Sequence, residues 1–291
     1  MKTKNLILGF VLSLTILSCN KEDNSSPISA TDAKVGAQID AMNDDVSNII
    51  EEQESNTYAN STSGKTAQTG YSAFSECAII TRVPAFGTAP TVGQTVTKTI
   101  DFGTTGCTLS NGNIVKGKII ISFVFQPEAT SHTISYTFDN FYHNAIKFDG
   151  NKTFTRTMIT TTANPNPHPE VTMTMDLTAT LPNGGVYHRV GSRVREIIEG
   201  FGTEIVADNI YKITGSWVTT TPNGATQTST ITEPLHVKMS CIAVNKPLIV
   251  SGVITIVRND TSATLDYGSG ECDNLAVLTV NGNSYNIVIG N

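Results

Sequence analysis

From Val171 to Leu177 the chain reads V-T-M-T-M-D-L, and this two-residue period is the feature that most restricts the fold. Successive side chains of an extended strand point to opposite faces, so the stretch sorts its apolar residues to one side and threonine to the other. A helix would scatter the same residues around its circumference. Threonine belongs on the solvated face of such a strand, where its β-branch suits the pleat and its hydroxyl suits water. Lys118–Phe123 and Ile231–Leu235 likewise carry no helical period. Asn111-Gly112, Asn183-Gly184, Asn223-Gly224 and Asn281-Gly282 supply hairpin turns, because both residues accept positive φ. The prediction for 71–291 is an all-β fold, a large antiparallel sheet or sandwich of roughly ten or more strands joined in chain order. Its length of roughly 220 residues suits one large β domain or two small ones.

The first residues have another character. Lys2 and Lys4 precede an apolar run from Leu6 to Leu17, too short to span a bilayer but suited to a secretory leader. An ordinary signal peptide would leave Cys19 as one more thiol. Leu17-Ser18-Cys19, with a small residue directly before the cysteine, instead resembles the bacterial lipobox, which implies a leader over 1–18 and a diacylglycerol on the Cys19 sulfur. Several acyl chains hold a protein to a bilayer far more firmly than one. Lys21, Glu22 and Asp23 resemble the signal that sends Bacteroidota lipoproteins to the outer face of the outer membrane; a periplasm-facing anchor is the alternative. The segment 19–70 is expected to be an acylated tether. Within it, Val35, Ile39, Met42, Val46, Ile49 and Ile50 recur at helical spacing, predicting a short amphipathic helix over about 31–54 that packs on the domain after it. Gly36 weakens that helix, and Glu51, Glu52 and Glu54 oppose its dipole. Ser, Thr, Gly and Asn then predict a linker from Asn56 to Gly70.

Charge excludes one class of partner. The formal net charge is −6, and nine of the 25 acids lie in the first seventy residues, so the body is nearly neutral. No basic stripe interleaved with aromatics appears, and nucleic acid is not an expected partner. Arg189, Arg193 and Arg195 lie close to Glu196 and Glu199, which predicts a solvated, ion-paired strand face.

Beyond Cys19 there are Cys77, Cys107, Cys241 and Cys272, an even count that predicts disulfides in an exported chain. Zinc would need close ligand pairs, yet no C-x₂-C spacing occurs and only His236 lies near a cysteine. Of the three connectivities, Cys77–Cys107 and Cys241–Cys272 are expected, because each pair encloses similar text. Thr99-Ile100-Asp101-Phe102-Gly103 precedes Cys107, and Thr264-Leu265-Asp266-Tyr267-Gly268 precedes Cys272. Asp101 and Asp266 read better as turn formers bonding nearby backbone N–H groups than as metal ligands.

Several segments resemble a family of uncharacterised Bacteroidota outer-membrane and surface lipoproteins: TIDFGTTGC, TFDNFYHNAIKFDGNKTFTR, YKITGSW, STITEPLHVKMSC and TLDYGSGECDNLAVLTVNG. The resemblance spans most of 77–291. It implies a β-rich exported domain on a lipid tether, and it carries over no catalytic residue.

Catalytic signatures are missing from the text. There is no G-x-S-x-G elbow, H-E-x-x-H, P-loop, EF-hand loop or Rossmann fingerprint. His132, His143, His168, His188 and His236 are scattered and read as strand or loop residues. Asp139-Asn140-Phe141-Tyr142-His143-Asn144 is the densest polar-aromatic cluster; Phe138, Phe141 and Tyr142 are expected in the core, with an Asn turn after them. Trp217, the single tryptophan, is expected to pack rather than to bind. Glu196 and Glu199 would fall on opposite strand faces, which disfavours a glycosidase pair. The expected function is therefore a lipid-anchored, surface-exposed, non-catalytic protein. It would bind an extracellular protein or glycan, or serve envelope structure, with no cofactor or metal beyond the lipid on Cys19. The rival is an extracellular hydrolase acting on a glycan or other polymer.

Overall fold

The computed structural model describes residues 28–62, 77–203 and 205–289. Cys19 and Lys21-Glu22-Asp23 lie outside the described residues. The described residues open with one α-helix, α1 (Ala30–Thr62), and continue as fourteen strands. These are β1 (Ile79–Val83), β2 (Thr95–Asp101), β3 (Cys107–Thr108), β4 (Ile114–Val124), β5 (Ser131–His143), β6 (Ile146–Ile159) and β7 (His168–Thr180). They continue as β8 (Val186–Glu199), β9 (Ile210–Thr220), β10 (Thr226–Lys238), β11 (Ile249–Arg258), β12 (Thr261–Ser269), β13 (Leu275–Val280) and β14 (Asn283–Val288). Apart from β3, which pairs only with β4, the strands follow one another in chain order through a single antiparallel sheet, with β1 and β14 at its edges. The Asn-Gly turns do what their chemistry allows: Gly184, Gly224 and Gly282 all take positive φ and close β7–β8, β9–β10 and β13–β14.

Alternation governs the faces. On β7, Val171, Met173, Met175 and Leu177 are buried while Thr172 and Thr174 are exposed. One outward row carries a hydroxyl on every strand of the main path from β2 to β14. It runs through Thr97, Ser122, Ser135, Thr153, Thr174, Ser192, Ser216, Thr230, Thr255, Thr264, Thr279 and Ser284. None of the twelve is buried. Uncharged β-branched or small polar residues keep this wide face solvated without like-charge repulsion between neighbouring strands.

The helix expected before the sheet is present, but it is longer than its apolar period suggested and lies in different surroundings. It runs through residues 56–62, where a linker was expected, and from Ile39 to Ile50 every residue is buried. One stripe (Val35, Ile39, Met42, Val46, Ile49) packs on β2–β8 side chains such as Ile119, Phe148 and Met175. The opposite stripe is small, Ala33, Ala37 and Ala41, and packs with the C-terminal half around Trp217, Ile254 and Leu278. The sheet therefore curls around the helix. Small residues on one flank let the second half of the sheet approach closely, while larger ones fill the space on the other.

A helix buried on every side must have its polar residues paired, since an unpaired buried charge is costly. The sheet supplies partners from its inward face. Asp40 accepts from Arg189 (2.5 Å), Arg193 and the Tyr267 hydroxyl (3.1 Å). Asp45 accepts from Asn111 (2.6 Å) and Asn113 (2.8 Å) and sits 2.7 Å from His143 Nε2. Arg258 reaches Asp32 at 2.9 Å, and the Lys98 ammonium donates to the Gln53 carbonyl at 2.5 Å. Burial alone would raise the Asp40 carboxyl, but Arg193 and Arg189, with the two hydrogen bonds, hold it below its ordinary value.

This overturns the solvated arginine face. Arg189, Arg193 and Arg195 are 2%, 1% and 5% exposed and project inward, toward helix acids rather than toward Glu196 and Glu199. Alternate positions of β8 share a face, and that face turned out to be the inner one. Room for them comes from Gly191: a Cβ there would stand 2.5 Å from Trp217 Cα. The Trp217 ring lies under Arg193 at 4.2 Å and Arg189 at 4.8 Å, a packing role as expected.

Candidate functional site

The disulfides are Cys77–Cys107 and Cys241–Cys272, the pairing the repeated text suggested, with Cα separations of 5.6 and 5.2 Å. Beside them Asp101 accepts from the Gly103 N–H (2.9 Å) and Asp266 from the Gly268 N–H (2.8 Å), so both acids form turns. Among the described residues no three His, Cys, Asp or Glu side chains converge as a metal site.

The dense cluster at 139–144 divides between faces. Phe141 and His143 are buried, His143 on Asp45, whereas Tyr142 is only partly buried and lies under the Lys116 ammonium at 4.3 Å. Tyr142 therefore does not belong to the core, because it has the opposite parity to Phe141. His168 and Lys212 close on Glu196 at 3.1 and 2.5 Å. Burial would raise that carboxyl, but these two partners hold it below its usual value. Glu199 stands apart and exposed beyond a register shift. These acids do not form a pair.

A cavity of about 320 Å³ opens elsewhere, between the C-terminal half of α1 and the inward face of β6–β9. Its floor is one cross-strand row, in which Arg156 pairs with Val171, Val171 with Arg195, and Arg195 with Ile213. Ile197, Met239 and Pro169 extend the apolar floor, and the helix contributes Asn48, Glu51, Glu52 and Glu54. The connection between β8 and β9 covers one side with Phe201, Ile205 and Val206. Phe201 and Ile205 are 45% and 59% exposed, so the cover turns apolar side chains to solvent. Gly200 lets this connection close on itself: its φ is +83°, and a Cβ there would come within 2.4 Å of Asn209 Oδ1.

The charges in the cavity are not equally occupied. Arg195 donates to Glu51 (2.6 Å) and to Asn48 Oδ1 (2.6 Å), and its guanidinium lies 3.5 Å from the Tyr211 ring centre. Glu51 and Arg195 are thus paired, with Arg195 Nε left without a partner. Glu54 does not have such a partner. It is 1% exposed, and its Oε1 has no hydrogen-bond partner. The nearest candidate, His132 Nδ1, is 3.6 Å away. His132 Nε2 donates to the Ala129 carbonyl at 2.8 Å, and its Nδ1 is also shared with the Tyr58 hydroxyl at 2.8 Å. Burial pushes the Glu54 carboxyl up to about 7, against the field of Arg156 and with help from Glu51. Arg156, half-buried on the opposite wall, forms no hydrogen bond or salt bridge with any described residue.

Sequence reasoning missed Glu51, Glu54 and Arg156. One signal was present: three acids at the end of a helix oppose its dipole and call for compensation from elsewhere in the fold. No family model, no curated protein and no solved structure matches this chain.

Proposed function

We propose that this chain is a lipid-anchored protein of the outer membrane, acylated at Cys19 and turned to the cell exterior by Lys21-Glu22-Asp23, and that it works by binding rather than by catalysis. No described helix is long and apolar enough to cross a membrane. The leader and its cysteine support the anchor. The observation that carries a binding role is the cavity between α1 and β6–β9, where an apolar floor and two unmatched charged groups border one space. Elsewhere Asp32, Asp40 and Asp45 of α1 are paired with inward side chains of the sheet.

One observation favours a hydrolase as a second reading. Glu51 and Glu54 share the cavity, and a carboxyl raised to about 7 near a second carboxyl group is the arrangement of a general acid and its partner. Against it, Glu51 is held by Arg195 and the Tyr211 hydroxyl. The test is metabolic labelling with an alkyne palmitate in cells, followed by protease shaving. Labelling should vanish in Cys19→Ala, and shaving should fail when Lys21, Glu22 and Asp23 are all changed to alanine. Labelling that persists without Cys19 rejects the anchor. Release of reducing ends from a glycan panel, abolished by Glu54→Gln, would replace binding by hydrolysis.

A further inference from the structure

We infer that the α1/β6–β9 cavity receives a small zwitterion with an apolar body, a free apolar amino acid or a dipeptide, its carboxylate on Arg156 and its ammonium on Glu54. This rests on the binding role proposed above and names the ligand class. Three features of the cavity carry it.

The first is complementarity of charge. Arg156 on the sheet wall has no salt bridge with a described residue, and Glu54 on the helix wall has only a long 3.6 Å approach to His132 Nδ1; both residues line the same space. No ion pair within 4 Å joins the two, although Arg156 acts on Glu54 through space, so a ligand carrying both signs can satisfy both. A simple anion would meet Glu51, Glu52 and Glu54 as well as Arg156; a simple cation would meet Arg156 and Arg195. A neutral apolar molecule would seal the half-buried Arg156 guanidinium from water and leave it unpaired, which is costly. Charge-assisted hydrogen bonds at each end are the strong kind, and a guanidinium grips a carboxylate through two parallel bonds.

The second is the floor. Val171, Ile197 and Met239 are buried and apolar and lie beside Arg156 and Arg195, so a ligand held at its charged ends lays its side chain on hydrocarbon. Phe201 and Ile205 stand exposed on the covering connection, where a bound apolar group would shield them. The third is size. A cavity of about 320 Å³ lies at the low end of small-molecule sites, which suits an amino acid or dipeptide better than a larger ligand. The ligand's ammonium also provides what Glu54 lacks: a cation that keeps its carboxyl ionised in a place where burial disfavours the charge.

The test is equilibrium dialysis of the full chain in detergent with radiolabelled leucine and Leu-Leu, set against N-acetyl-leucine and leucinamide. Saturable binding of a zwitterion is expected, and each end-blocked analogue should bind at least ~10-fold more weakly, the loss of one charge-assisted hydrogen bond. Arg156→Gln and Glu54→Gln should each cost a similar factor, and Arg156→Lys should recover part of it. Thermal unfolding of each variant, measured in parallel, separates lost binding from lost fold. Failure of both zwitterions to bind, equal binding of the blocked forms, or unchanged affinity in both variants would overturn the inference. Binding of a glycan fragment in their place would also overturn it while leaving the binding role standing. Palmitate labelling of the same preparation reports on the anchor separately.

Discussion

Asp44→Asn isolates the cost of ionising one carboxyl inside the sheet. Asp44 is 4% exposed on α1, flanked by Asp40 and Asp45, and its Oδ2 has no hydrogen-bond partner. Burial pushes its carboxyl up to about 7; Arg193 and Arg195 oppose the rise, and Asp40 and Asp45 add to it. The sign follows from proton binding. Between the ordinary value of 3.8 and about 7, the folded protein holds a proton that the unfolded chain releases, so stability falls as pH rises through that window. At 1.36 kcal/mol per pH unit the gap corresponds to about 4 kcal/mol, fully felt above pH 7. Asparagine mimics the protonated acid in shape but never ionises. Its amide nitrogen needs an acceptor, which takes back about 1–3 kcal/mol if none is found. Urea unfolding of both proteins should show Asp44→Asn gaining about 4 kcal/mol on wild type between pH 4 and pH 8, from a deficit at pH 4 no larger than the amide cost, for a net gain of about 1–4 kcal/mol at pH 8. Glu54, also raised to about 7, contributes the same slope to both proteins and cancels in the comparison. Parallel curves, or an Asp44→Asn protein weaker than wild type at pH 8, would refute the claim that this acid is held against its charge.

Other expectations concern the pieces that hold helix and sheet together. Asp40→Ala leaves Arg189 and Arg193 buried without their common acceptor and should cost about 3–5 kcal/mol in denaturant unfolding at neutral pH. Because the Asp40 carboxyl lies below its usual value, its contribution in wild type should be complete above about pH 4 and fade as pH falls further. Gly191→Ala forces a methyl against Trp217, and loss of the native tryptophan emission maximum with a fall in melting temperature is expected, whereas Gly184→Ala, with nothing near its Cβ, should cost only turn strain. Replacing both Cys241 and Cys272 by serine opens a loop of sequence separation 31 and should cost about 3–4 kcal/mol, read as a fall in the denaturant midpoint, with reducing agent then acting only through Cys77–Cys107.

The sheet was legible because its rules are local. Alternation in Val171–Leu177 decides which residues share a face, and Asn-Gly decides where the chain reverses, so a meander in chain order follows from neighbours alone. The repeated D-[FY]-G before Cys107 and Cys272 exposed the disulfide pairs for the same reason: each loop is a short, self-contained piece of text. A period of two, however, states which side chains lie together and never what lies against them. Arg189, Arg193 and Arg195 share a face by sequence, and nothing within ten residues reveals that it is the inner one. Their acceptors, Asp40 and Glu51, precede them by about 150 positions. The helix showed the converse problem. Its apolar stripe is a local signal, but its acids looked solvated until the curled sheet surrounded them with cations.

The proposed lipid site at Cys19 and the pleated body are thus matters of sequence, the first as a motif to be tested and the second as a pattern the fold obeys. The buried ion pairs and the cavity with Glu54 on one wall and Arg156 on the other are decided by tertiary structure alone. Coulomb attraction and desolvation act through space, between groups that only the closure of the sheet around α1 brings together.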